Sequence, residues 1–451
     1  MPLGWNRSAP RDDLDERELH VGEPEDHAAG PTAVAVAMKR AVEQMGPVRT
    51  ARTLLRLNQV GGFDCQGCAW PDPDAGHRHT AEFCENGAKA VTEEATLRRV
   101  DRRFFAEHPV AELAERTDFW LGQQGRLTEP MVLRPGGTHY EPIAWEDAFA
   151  VIASHLRELA SPDEAIFYTS GKTSNEAAFA YQLLARSLGT NNLPDCSNMC
   201  HESTSVGLAE SIGIGKGSVS LHDVETAELV VVAGQNPGTN SPRFLHNLKD
   251  LKDRGGKIVT FNPVIEQGLV SFVDPQNPLA MMTGKETIIS DQYHQLKSGG
   301  DVAAILGLCK VVVEADDAAQ AAETHEVIDH DFIKQHTTGF DEFIACCRDA
   351  KWADIEQASG LTESALREAA QVYIDADKTI GVYGMGFTQH THGALNIAMM
   401  VNLLLLKGNI GRPGTGCCPV RGHSNVQGQR TVGIAEKAHL VPLDRLKELF
   451  D

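Results

Sequence analysis

The runs LVVVAGQNPGTNS at residues 229–241 and KIVTFNP at 257–263 decide the fold. The first begins with a continuous apolar, largely β-branched stretch, the composition of a strand buried on both faces. Gly, Asn and Pro then open a helix, and after Gly255-Gly256 a second strand returns, which makes a β-α-β unit with parallel pairing. Two similar junctions flank it. AIFYT at 165–169 runs through Ser170-Gly171-Lys172-Thr173-Ser174-Asn175 into a helix ending near Gly189. TIGVYGMG at 379–386 leads through Thr388-Gln389-His390 into an apolar helix at 394–406 and then the glycine-rich loop GNIGRPGTG. Strand ends that meet helix N-termini suit phosphate. Helical patterns also cover 33–44, 145–159 and 442–450. The expected class is α/β, with parallel sheets flanked by helices. Ordinary turn chemistry also places Gly, Asn and Ser at such junctions, and the chain has neither GxGxxG after a strand nor GxxxxGK[ST], so no simple NAD or ATP site is read.

At 451 residues the chain is long enough for roughly three domains. Its 42% hydrophobic and 23% charged residues are ordinary for a globular protein, and no apolar run approaches the roughly 18 residues of a membrane span. With 41 Lys+Arg against 62 Asp+Glu the net charge is −21, which repels a phosphate backbone and makes nucleic acid an unexpected partner. The N-terminal MPLGWNRSAPRDDLDERELH lacks the apolar core of a secretory signal and a twin-arginine pair, so a cytoplasmic location is expected. Ten cysteines are too few for a disulfide scaffold, and clustered thiols in a reducing compartment point to metal or chemistry.

Three constellations carry that chemistry. Cys65-x2-Cys68-x3-Asp72-x11-Cys84 offers three thiols and a carboxylate on a Gly- and Pro-rich loop. This set suits an iron–sulfur cluster one sulfur short of the usual four; with His77 or His79 it equally satisfies a tetrahedral Cys3His zinc count. Cys200-His201 precedes a helical stretch, where free N–H groups favour thiolate and the imidazole supplies a proton acceptor; a buried Cys beside a surface His is the bland alternative. Arg421, in PVRGHSNVQG, is of the type that grips a small carboxylate through two parallel hydrogen bonds, although an arginine in a polar loop is often just a surface ion pair. Cys309, Cys346, Cys347, Cys417 and Cys418 read as structural.

Taken in order, CxGC, SGKTSNE, CSNMCHESTSVGL, VVVAGQNPGTNSPR, GMGFTQHTHG, GNIGRPGTG and PVRGHSNVQG resemble the catalytic subunit of formate-dehydrogenase-like molybdopterin oxidoreductases, over about residues 59–434. The resemblance is closest to a branch whose iron–sulfur segment reads CxGCxWPDP. It implies a multi-domain fold of the formate dehydrogenase/DMSO reductase kind, divided as an N-terminal extension (1–58), an iron–sulfur-type segment (59–144), an α/β cofactor-binding domain (145–378) and a second, incomplete α/β domain (379–451). The family's C-terminal β-barrel domain is not expected within this chain. By position, Cys200 corresponds to the protein ligand of molybdenum (or tungsten), His201 to the proton acceptor and Arg421 to the substrate clamp. Cys65, Cys68 and Cys84 match three cluster cysteines and Asp72 stands at the third position, which implies an Asp-ligated [4Fe–4S] cluster, a [3Fe–4S] cluster or none. The family's lysine after the last cluster cysteine corresponds to Asn86, and a glutamine after the arginine to His423.

The resemblance further implies a bis-molybdopterin guanine dinucleotide held by the junction loops, with Lys172, Asn175, Asn236, Asn240, Asn262, Gly386, Gln389, His423 and Gln427 as expected contacts. Partners would be a small anionic substrate, formate or another, and a protein that accepts or donates electrons through the cluster. The rival expectation is a non-catalytic electron-transfer or assembly subunit that keeps the scaffold.

Overall fold

The structure, a computed structural model, describes residues 8–15, 19–23 and 25–450. Part of the N-terminal stretch read for a leader (1–7 and 16–18) lies outside the described residues.

Five strands form the central sheet: β1 (Leu229–Ala233), β2 (Lys257–Phe261), β3 (Gln292–His294), β4 (Thr379–Tyr383) and β5 (Gly416–Pro419). Their order is β3-β2-β1-β4-β5 and every pairing is parallel, with Val231 between Val259 and Gly381. This is a doubly wound arrangement. Its strand order reverses between β1 and β4, so the crossovers leave in opposite directions and a crevice opens at their carboxyl ends. Because side chains alternate across a strand, Leu229, Val231 and Ala233 enter one core while Val230 and Val232 enter the other. Burying each valine contributes roughly 1.5–3 kcal/mol, which is why the β-branched run settles here.

The helices that frame the sheet and its neighbours are α1 (Gly30–Leu54), α2 (Glu85–Glu94), α3 (Glu202–Ile212), α4 (Phe244–Asp253), α5 (Asp301–Ala321), α6 (Glu363–Asp375) and α7 (Gly393–Leu406). The cores on the two faces of the sheet take side chains from α3, α5, α6 and α7 on one side, and from α4 on the other. Among the described residues, no helix is long and apolar enough to cross a membrane.

Several expectations change. AIFYT does not join the sheet: it makes a lone bridge from Thr169 to Asp195, with Ile166 and Tyr168 exposed. The boundary drawn at 378/379 does not divide two sheets, since β4 pairs with β1 along its whole length. Nor does the one at 58/59 separate two bodies, because Ala37, Ala41 and Met45 of α1 pack on Ala88 and Val91 of α2 beside Cys65. The loop GNIGRPGTG lies at the amino end of β4, where Asn409 accepts from the Thr379 amide at 3.3 Å, because α7 carries the chain back to that end. Cys346 is exposed, whereas Cys309, Cys347 and Cys417 are buried as structural cysteines.

Gly234 follows β1 at φ +57°, and a Cβ there would sit 2.5 Å from the Phe387 nitrogen. The substitution Gly234→Ala should therefore cost about 1–3 kcal/mol through strain and overpacking, read as a lower denaturation midpoint in urea; an unchanged midpoint would show that β1 and β4 do not meet so closely.

Candidate functional site

A cavity of about 1000 Å³ lies at the carboxyl ends of β1 and β4. Its walls are the thiol segment with Cys65, Cys68 and Cys84, the β1 end at Gly234–Asn236, the β4 end at Met385 and Gly386, residues 420–425 beyond β5, and Lys172–Ser174. Doubly wound sheets bind ligands at this place, and the volume is at the upper end of the roughly 300–1000 Å³ of small-molecule and cofactor pockets.

Arg421 extends from the end of β5 into this wall and is only 7% exposed. Its Nε finds no hydrogen-bond partner, and neither does the buried Nδ1 of His423 in the same wall. Buried polar atoms are nearly always satisfied, so these two orphans stand out on the stretch that lines the cavity. Cys200, half-buried, ends the short helix Cys196–Cys200. Hydrogen bonding with the Cys196 thiol brings the Cys200 thiol down to about 7 against its burial, and Arg421 adds to the effect. The Cys196 thiol is pushed up by the same interaction and by burial.

His201 is fully buried beneath that helix. Its Nε2 faces the Val420 carbonyl at 3.2 Å and must donate, which leaves Nδ1 to accept from the Thr204 hydroxyl at 2.9 Å. Burial, helped by Arg421, brings the ring down to about 4. With both nitrogens engaged, the ring holds the backbone before Arg421 in place.

The three thiols gather at the other end of the cavity. Cys65 Sγ accepts from the Gly67 amide at 3.2 Å and Cys84 Sγ from the Gly87 amide at 3.3 Å. A Cβ on Gly87 would fall 3.0 Å from one sulfur and 3.7 Å from the other, so the glycine keeps the space between them clear. Burial raises the Cys65 thiol and pushes Cys84 up to about 11. Backbone N–H groups aimed at sulfur suit cluster-ligating thiolates, so the residues fit an iron–sulfur centre. The zinc alternative loses its fourth ligand, because His77 and His79 line a separate cavity of about 230 Å³. Among the described residues no three His, Cys, Asp or Glu side chains stand close enough to hold a single ion.

Of the other expected contacts, Lys172, Asn236, Asn240, Asn262, Gly386 and His423 line the cavity, as does Asp72. Asn175, Gln389 and Gln427 do not. Asn175 accepts from Asn425 at 2.9 Å, Gln389 donates to the Met199 carbonyl at 3.0 Å and so steadies the helix of Cys200, and Gln427 is exposed. Gln235, Arg243 and Asn425 line the cavity although nothing local singled them out. For Gln235 the signal was its place directly after Gly234 at a strand end.

The molybdopterin oxidoreductase family matches residues 126–448, and the chain belongs to it. An uncharacterized oxidoreductase of Mycobacterium tuberculosis is 51% identical over 448 residues, 98% of this chain and 57% of that protein. The protein YdeP of Escherichia coli K12 is 48% identical over 426 residues, 94% of this chain and 56% of its own length. The alpha subunit of an F420-dependent formate dehydrogenase of Methanocaldococcus jannaschii is 30% identical over 315 residues, 70% of this chain and 42% of that protein. The chain thus spans little more than half the length of the first two. Acetylene hydratase from Pelobacter acetylenicus shares the fold at a TM-score of 0.50 and 17% identity, over 63% of this chain and 35% of its own.

His201 gives the site a pH signature. An unfolded histidine takes its proton near 6.5, whereas the folded ring stays neutral down to about 4. Between these values the unfolded chain binds the extra proton, so stability is full above 6.5 and falls as pH drops to 4, by about 3 kcal/mol. Urea midpoints across that window should show His201→Gln losing this part of the slope; parallel slopes in the two proteins would contradict the buried neutral ring.

Proposed function

We propose that this chain is the cofactor-binding part of a molybdopterin-dependent, formate-dehydrogenase-like oxidoreductase acting on formate or another small anionic substrate. The observation that carries this reading is Arg421, a buried arginine in the wall of the switch-point cavity whose Nε has no partner, with Cys200 close enough to feel its charge. A bis-molybdopterin guanine dinucleotide bearing Mo or W supplies the two-electron redox chemistry when bound.

The chain's own residues bind and orient. Arg421 grips the substrate's carboxylate end, since a guanidinium fork matches two oxygens where lysine offers a point charge. Cys200 would offer the protein's sulfur to the metal. Lys172, Asn240, Asn262, Gly386 and His423 face the cavity to receive phosphates and guanines. Asn236 contributes by shaping the loop, as its side chain is tied to Glu266 and to the Thr239 amide. Cys65, Cys68 and Cys84 would hold a [4Fe–4S] cluster, which would supply one-electron relay to a protein partner. The distant relative named as a formate dehydrogenase supports formate, and ten free cysteines agree with a cytoplasmic setting. A non-catalytic electron-transfer or assembly subunit is the second reading, favoured by the absence of Cys200 from the cavity lining.

Metal analysis of the purified chain separates these readings. Fe with Mo or W is expected; Fe alone would carry the electron-relay reading, and Zn alone would overturn both. Cys200→Ala should abolish formate-dependent dye reduction and lower Mo or W content while leaving iron intact, and unchanged turnover would remove Cys200 from the mechanism.

A further inference from the structure

Asp72 stands where a fourth cluster ligand is expected, and it faces the same cavity as the three thiols. Its carboxylate is already engaged. One oxygen lies 2.8 Å from Arg243 Nη1 and the other 3.6 Å from Arg78 Nη1. Arg243, 9% exposed, turns its remaining donors to Glu82: Nε at 3.0 Å and Nη2 at 2.9 Å. Trp70 is committed to the same surface. It stacks on Phe244 of α4, with ring centroids 4.2 Å apart, and donates to Asn247 at 3.1 Å. The Pro73 carbonyl accepts from Arg78 Nε at 2.8 Å. The Trp-Pro-Asp-Pro stretch is therefore a docking strip that grips α4 and the residue before it. Turning Asp72 toward iron would take the acceptor from Arg243 Nη1 and leave Glu82 as the one carboxylate on that buried guanidinium, and a buried donor that loses its acceptor costs stability.

We infer that Asp72 is an anchor and not an iron ligand, so that the protein holds its iron–sulfur centre through Cys65, Cys68 and Cys84 alone. This rests on the iron–sulfur part of the proposed function. The fourth iron of a cubane at this site takes a non-protein ligand, water or hydroxide, and is labile. Oxidation by ferricyanide then converts [4Fe–4S]2+ to [3Fe–4S]+ with release of Fe2+ and one electron, which ferricyanide accepts.

The test uses the full chain reconstituted anaerobically with ferrous iron and sulfide. Wild type and Asp72→Asn should bind equal iron per chain, give the same reduced-state EPR spectrum, and each lose one iron per cluster to ferricyanide as the three-iron signal appears. Asp72→Asn and Arg243→Gln should both melt at lower temperature than wild type, because both weaken the docking strip. A measurement on wild type alone guards against a variant that fails to fold: water enriched in a magnetic oxygen isotope should broaden the reduced cluster's EPR lines. An altered spectrum or a missing iron in Asp72→Asn, or no broadening in wild type, would overturn the inference and leave the iron–sulfur reading standing. A wild-type chain that binds no iron would overturn both.

Discussion

The carboxyl ends of β1 and β4 lie side by side because two glycines meet there, and the rest of the site depends on that approach. The Gly386 amide donates to the Gly234 carbonyl at 3.0 Å, and a Cβ on Gly386 would fall 2.8 Å from that same oxygen. With no side chains between them, the two strand ends leave an open crevice at the switch point instead of a filled one. The thiol segment, the 420–425 loop and Lys172–Ser174 all arrange themselves around this gap. Moving the two backbones apart would displace Met385 and Gly386, and with them the wall between the two ends of the cavity.

Polar contacts fix what the sheet leaves free. Asn425 donates to the Thr173 carbonyl at 2.7 Å and its amide to the Gly171 carbonyl at 2.7 Å, which ties the loop of Arg421 to the loop of Lys172. Asp195, fully buried, caps the helix of Cys200 through the Ser197 amide at 3.0 Å and accepts from Gln429 at 3.0 Å and Arg430 at 3.2 Å. Charge-assisted hydrogen bonds contribute about 1.5–3 kcal/mol each, but the desolvation of a buried pair is of similar or larger size. Their net gift is therefore geometry: one position for Cys200 relative to the strand end that carries Arg421. His201 serves the same end, and this is why its ring is neutral and enclosed.

The sheet was legible because burial on both faces leaves a local mark, an unbroken apolar run at 229–233 and the β-prone run TIGVY at 379–383, which is buried at every position. AIFYT carries a similar mark but finds no ladder, since membership of a sheet depends on a partner far along the chain. Thiols and a guanidinium were legible as chemistry, because few residue types do what they do. Their surroundings were not. Whether Asn175, Gln389 or Gln427 faces the cavity is set by the phase of the element each sits on and the packing of its neighbours. Asp72 counts as a ligand by spacing, and its ion pair with the distant Arg243, just before α4, has no local mark in the sequence. His201 likewise looks like an exposed acceptor until the Val420 carbonyl arrives from the far end of the chain.

Arg421 also says something about the chain without its ligand. Burial disfavours the guanidinium's charge, and its Nε stands without an acceptor. An unsatisfied buried donor costs roughly 1–3 kcal/mol, and His423 Nδ1 adds a second orphan polar atom nearby. A protein built only for its own stability would place carboxylates or carbonyls there, as this one does around Arg243 and Arg430. Arg243 and Arg421 are both buried in the cavity wall and differ in this respect: Arg243 is paired with carboxylates, whereas the Nε of Arg421 has no partner. Binding that relieves the cost stabilises the fold by mass action, so occupancy of the cavity and rigidity of the 420–425 loop are linked through one side chain.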